Sequence, residues 1–107
     1  MAASRIDTFK QILESDPENT TVLFGLANEY LKAERYAEAI VMLRDYLTRA
    51  DDEGAAFGML ARALEKLGRR DEARAAYERG IEADTAHNHP SMAADYRMTL
   101  ETDYDED

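Results

Sequence analysis

Two histidines stand one residue apart near the C-terminal end of this chain, His87-Asn-His89, with Asp84 upstream and Asp95 downstream. Imidazole together with carboxylate is a donor set that suits Zn²⁺. Such a site needs a third ligand held in place, and the spacing fixes none. A loop before Pro90 that ends one helix and begins another is the plainer reading of the same residues. The candidates for nucleophilic catalysis are Ser4, Ser15 and Ser91. Each stands where a helix would start or end, and spacing pairs none of them with an oriented general base. No Gly-rich phosphate loop is present, and the absence of cysteine excludes disulfides and thiolate metal sites. These residues point away from an enzyme and imply no cofactor.

At 107 residues the chain is one small domain with a modest core. Its formal net charge of −10 argues against nucleic acid or an anionic membrane as partner, since both reward Lys and Arg that neutralise phosphates. The basic residues are 10 Arg against 3 Lys. An acidic, lysine-poor surface suits a high-salt cytoplasm, and an arginine- and alanine-rich chain also follows from a GC-rich genome. No apolar run approaches the roughly 20 residues of a membrane span. The start turns charged at once, without a signal-peptide core, so a soluble cytoplasmic protein is expected.

The elements that position any site are helices. Ile6, Phe9 and Leu13 share one helical face, Ser4 with Asp7 forms a starting cap, and Pro17 followed by Asn19 stops the segment. A helix is expected over 4–16. Further on, Leu23-x2-Leu26-Ala27-x2-Tyr30 and Ala39-x3-Leu43 return as Phe57-x2-Leu60-Ala61-x2-Leu64 and Ala73-x3-Tyr77, a period of 34 residues with no gap. Six residues are identical across that shift: Leu26/Leu60, Ala27/Ala61, Lys32/Lys66, Arg35/Arg69, Glu38/Glu72 and Ala39/Ala73. Small alanines at matched positions let two helices approach closely, and the large residues fill the space around them. The first pair turns at Glu34-Arg35, and Gly68 is the left-handed stop within the second, where Asp71 is expected to cap a helix over about 71–83.

This period and order of residues resemble the tetratricopeptide repeat, a helix–turn–helix unit. The resemblance implies an all-α superhelix, a right-handed solenoid of about six helices. One domain over 1–101 then comprises the half-repeat helix 4–16, full repeats 20–53 and 54–87, and a capping helix 90–101. Residues 102–107 read as a disordered acidic tail. Tyr46 and Gly80 depart from the family's alanine in the second helix, and Asp51 and Thr85 from its closing proline.

In this family the first helices line a groove that holds segments of other proteins. Carried over by position, the groove takes Thr21, Phe24, Asn28, Leu31 and Lys32 from the first repeat, and Gly58, Arg62, Glu65 and Lys66 from the second. Lys32, Arg62 and Lys66 with Phe24 and Leu31 would favour an acidic or carboxylate-bearing segment beside an apolar anchor. Relatives that capture chaperone tails use two lysines, two asparagines and an arginine. Only Asn28 matches that set here, because Phe24 and Met59 stand at two of the other places. A partner protein is the expected ligand. The alternative is a self-associating scaffold unit, a homo-oligomer joined through exposed Tyr36, Tyr46 or Met98.

Overall fold

The computed structural model describes residues 4–88 and 90–104, and among these every regular element is helical. The order is α1 (Arg5–Ser15), α2 (Thr20–Lys32), α3 (Tyr36–Arg49), α4 (Ala55–Lys66), α5 (Arg70–Ala86) and α6 (Pro90–Thr99), continued by a π-helical turn (Leu100–Tyr104). The helices group into two compact units, α1–α3 and α4 through the π turn, divided after Ala50. No helix among the described residues is long and apolar enough to cross a membrane.

In the first unit, Ser4 accepts from the Asp7 amide (3.1 Å) and Asn19 from the Val22 amide (3.1 Å), as their residue types require at helix starts. Helix α2 packs between α1 and α3. Leu26, Tyr30 and Ala39 form a buried cluster, against which Ile6, Phe9, Leu13, Leu31 and Met42 lie half-buried. The second unit packs α4 on α5 and α5 on α6. All four matched alanines, Ala27, Ala39, Ala61 and Ala73, are without exposed surface.

The two repeats turn by the same device. Glu34 and Gly68, 34 positions apart, both take a left-handed backbone (φ 59° and 74°). The next amide then reaches back, Arg35 to the Tyr30 carbonyl (2.8 Å) and Arg69 to the Leu64 carbonyl (2.9 Å). The repeated spacing of charges within the chain serves the same corner. Arg35 forks onto Glu38 (2.7 and 2.6 Å), and Arg69 onto Glu72 (2.6 and 2.9 Å). This hydrogen bonding holds the Glu38 carboxyl below its ordinary range. An L-residue at φ 59° carries steric strain that glycine avoids. Glu34→Gly is therefore expected to stabilise the protein by about 0.5–1 kcal/mol, read as a rise in the urea midpoint at constant slope.

Three local expectations are corrected. Helix α5 starts at Arg70, so Asp71 lies inside its first turn and no side chain caps it. It also runs on to Ala86 instead of ending near residue 83. With Thr85 at the closing-proline position the backbone keeps its donor, and the helix ends only where Asn88 turns left-handed (φ 62°). The third concerns the acidic tail. Residues 102–104 are helical, and Tyr104 is 4% exposed. Its ring finds a seat on α4–α5 that composition does not register. Residues 105–107 lie outside the described residues.

Candidate functional site

The residues assigned to a groove divide between the two units. On α2, Asn28 and Lys32 are exposed. Lys32 Nζ lies 3.4 Å from Glu29 Oε2, an oxygen that also takes Arg5 Nε at 3.2 Å from α1. Phe24 is half-buried, its ring tilted against Tyr46 on α3 at 5.1 Å between centroids. The bulky Tyr46 thus has a partner of its own. Leu31 is half-buried on the Leu26–Tyr30–Ala39 cluster, so it serves the core as well as the surface.

On α4, Arg62 and Lys66 are exposed. Arg62 lines a recess between α4 and α6 that Met59, Met92, Glu65, Asp95 and Asp103 line as well. Both Lys32 and Lys66 fall in the last turns of their helices, where a cation also favours the helix dipole.

Two of the second repeat's groove positions are already taken by the chain itself. Gly58 is covered by the Tyr96 ring: a Cβ built there would lie 2.8 Å from its Cε1 and Cζ. On the other side of the ring, a Cβ on Gly80 would lie 2.9 Å from Cε2. The Tyr96 hydroxyl donates to the Gly54 carbonyl (2.9 Å). Asp52 fixes that same corner by accepting from the amides of Gly54 (2.8 Å) and Ala56 (3.0 Å), a helix start whose capping residue the spacing alone did not single out.

Glu65 is the second occupied position. Its Oε1 accepts from Tyr77 (3.3 Å) and its Oε2 from Tyr104 (2.7 Å). Burial, reinforced by the Glu65 charge, pushes the Tyr77 hydroxyl up to about 12. Burial also raises Tyr96, and raises Tyr104 further with help from its bond to Glu65. A phenol next to a carboxylate and out of water resists ionising.

Other assignments separate. His87 bonds Asp51 through Nε2 (3.1 Å), and His89 lies outside the described residues. Asp84 is fully buried and accepts from the Ala93 amide (2.6 Å) in the first turn of α6. Among the described residues no three His, Asp or Glu side chains are placed to hold a metal ion. Of the side chains considered for self-association, Met98 is 65% exposed, whereas Tyr36 and Tyr46 are half-buried.

The family profile described as tetratricopeptide repeat matches residues 6–58 and 30–94, most of the chain. The chain belongs to the tetratricopeptide repeat family. No curated protein matches it. Tetratricopeptide repeats generally mediate protein–protein interaction and are typically non-enzymatic. The paired helices, the buried alanines and the twin turns at Glu34 and Gly68 are the structural form of that repeat here.

Proposed function

We propose that this tetratricopeptide repeat protein is an interaction module that binds a segment of another protein on the first-helix faces of its repeats. The groove residues are Phe24, Asn28, Leu31 and Lys32 on α2, and Arg62 and Lys66 on α4. The observation that carries the reading is the exposure of Asn28, Lys32, Arg62 and Lys66 on the first helices of a repeat family that generally binds proteins. A recess lined by Arg62 together with Met59 and Met92 suits a segment that combines an apolar anchor with a carboxylate. Asp95 and Asp103 in the same lining restrict how many acids such a segment can carry there.

The test compares wild type with the Lys32→Glu/Arg62→Glu/Lys66→Glu variant in a pull-down from the host lysate. Loss of a specific partner at unchanged helicity is the expected result. Equal recovery by both proteins overturns the basic-groove reading. Self-association is the second reading, favoured by Met98 on α6 at 65% exposure and Val41 on α3 at 59%. It predicts a light-scattering mass above one chain at micromolar concentration that Met98→Ser or Val41→Ser lowers and the charge reversals leave unchanged.

A further inference from the structure

The seat of Tyr104 reads every chemically distinct part of a tyrosine residue. Its hydroxyl donates to Glu65. Its ring lies edge-on to Tyr77 (6.1 Å, 72°), with the Arg70 guanidinium 4.2 Å and the Arg74 guanidinium 5.5 Å from its centroid. Its main chain is held as well: Arg70 Nη2 donates to the Asp103 carbonyl and Arg74 Nη2 to the Tyr104 carbonyl. Four side chains of α4 and α5 converge on this one tyrosine of an acidic segment, as they would on a recognised sequence.

The occupant is held chiefly at one residue. Of Leu100–Tyr104, Tyr104 alone is buried; Leu100 is half-buried, and Glu101, Thr102 and Asp103 are exposed. A segment whose contacts gather at Tyr104 and the adjoining carbonyl opens at lower cost than the helix pair beneath it. The residues flanking the tyrosine in sequence are acidic, Glu101, Asp103, Asp105, Glu106 and Asp107, and the α5 cations against its ring are Arg70 and Arg74. Of the acids in that helix's first turn, Asp71 and Glu72, the second is bonded to Arg69. Charge complementarity therefore favours the same kind of segment whether it arrives from this chain or from another.

We propose that the surface formed by Glu65, Arg70, Arg74 and Tyr77 is a binding site for a tyrosine in an acidic segment, and that Tyr104 fills it as a cis ligand which a partner protein's acidic tyrosine segment displaces. This rests on the interaction reading for its use in trans, but it uses none of Phe24, Asn28, Leu31, Lys32, Arg62 or Lys66. The intramolecular ligand is present at high effective concentration, so it sets a threshold that only a better or more abundant segment passes.

The probe is a fluorescent peptide of the chain's own residues 100–107, LETDYDED, with a tyrosine-to-alanine peptide as control. Anisotropy is measured on full-length wild type and on full-length Tyr104→Ala, with helicity checked by circular dichroism. Emptying the site is expected to tighten binding of the tyrosine peptide at least tenfold over wild type, with no gain for the control peptide. Glu65→Ala, or Arg70→Glu with Arg74→Glu, in the Tyr104→Ala background removes that gain, and salt weakens it. Equal binding by wild type and a folded Tyr104→Ala, or equal binding of the two peptides, overturns the proposal. If Tyr104→Ala loses helicity, Tyr104→Phe decides. It keeps the ring between the arginines and loses only the bond to Glu65, so it must show a smaller gain in the same direction; no gain overturns the site. Failure here alongside a partner lost on charge reversal at Lys32, Arg62 and Lys66 rejects this site alone. The reverse pattern rejects the groove.

Discussion

Gly58→Ala is expected to lower the melting temperature of the protein by about 10–20 °C, from a loss of about 2–4 kcal/mol. The added methyl group has no space. It would lie 2.8 Å from two carbons of the Tyr96 ring, and the ring cannot retreat, because the Gly80 position faces its opposite edge, with a built Cβ 2.9 Å from Cε2. Tyr77 borders it at 5.5 Å between centroids. Any movement that relieves the clash also pulls the hydroxyl from the Gly54 carbonyl, a buried bond worth about 1 kcal/mol in itself. Overpacking and the lost bond therefore add. A double-mutant cycle with Tyr96→Ala identifies the cause. Once the ring is gone, Gly58→Ala should cost less than about 0.5 kcal/mol, since alanine is the better helix former. If the two substitutions destabilise additively in urea melts, the ring is not what the glycine accommodates.

That pair of glycines marks how far the sequence could be read. The 34-residue period exposed the matched alanines and the two turns, and it aligned Arg35 with Arg69 and Glu38 with Glu72, which the structure joins as forks. These are contacts between neighbours, and local spacing encodes them. Gly58 and Gly80 read instead as a groove position and a departure from alanine, because their reason is a tyrosine on α6, outside the repeat. Tyr104 was obscured for a related cause. Five acids among residues 101–107 dominate any compositional reading, while the features that order the segment, Arg70, Arg74 and Glu65, stand some thirty to forty residues earlier. Of the candidate groove positions, Asn28, Lys32, Arg62 and Lys66 are exposed, whereas Phe24 and Leu31 are half-buried and Gly58 is buried. The sequence did not indicate that Leu31 would serve the core or that Glu65 would already be engaged.

The second large effect is alkaline unfolding that begins where the ordinary tyrosine titrates. Tyr77, Tyr96 and Tyr104 all have hydroxyls raised above their usual value of 10.0, and Tyr77 is pushed up to about 12. In the unfolded chain each returns to about 10. The folded state binds the phenolic proton more tightly than the unfolded state does. Its contribution to stability is thus complete below pH 10 and falls as pH rises through the folded value near 12. Within that window Tyr77 removes up to ~1.4 kcal/mol per pH unit, and Tyr96 and Tyr104, raised in the same direction, add to the loss in the same unit. Helicity followed by circular dichroism should hold to about pH 10 and then decline before pH 12. Tyrosinate absorbance should lag behind that of a tyrosine peptide until helicity is lost, then rise with it. Tyr104→Phe removes one of the three groups and the only one bonded to Glu65 Oε2. It should make the alkaline decline shallower while lowering stability at pH 7. A variant whose alkaline slope matches wild type would assign the effect elsewhere, to the arginine forks or to general charge repulsion at −10. A shallower slope ties the hold on the C-terminal segment to a single proton on Tyr104, shared with the carboxylate that Tyr77 also uses.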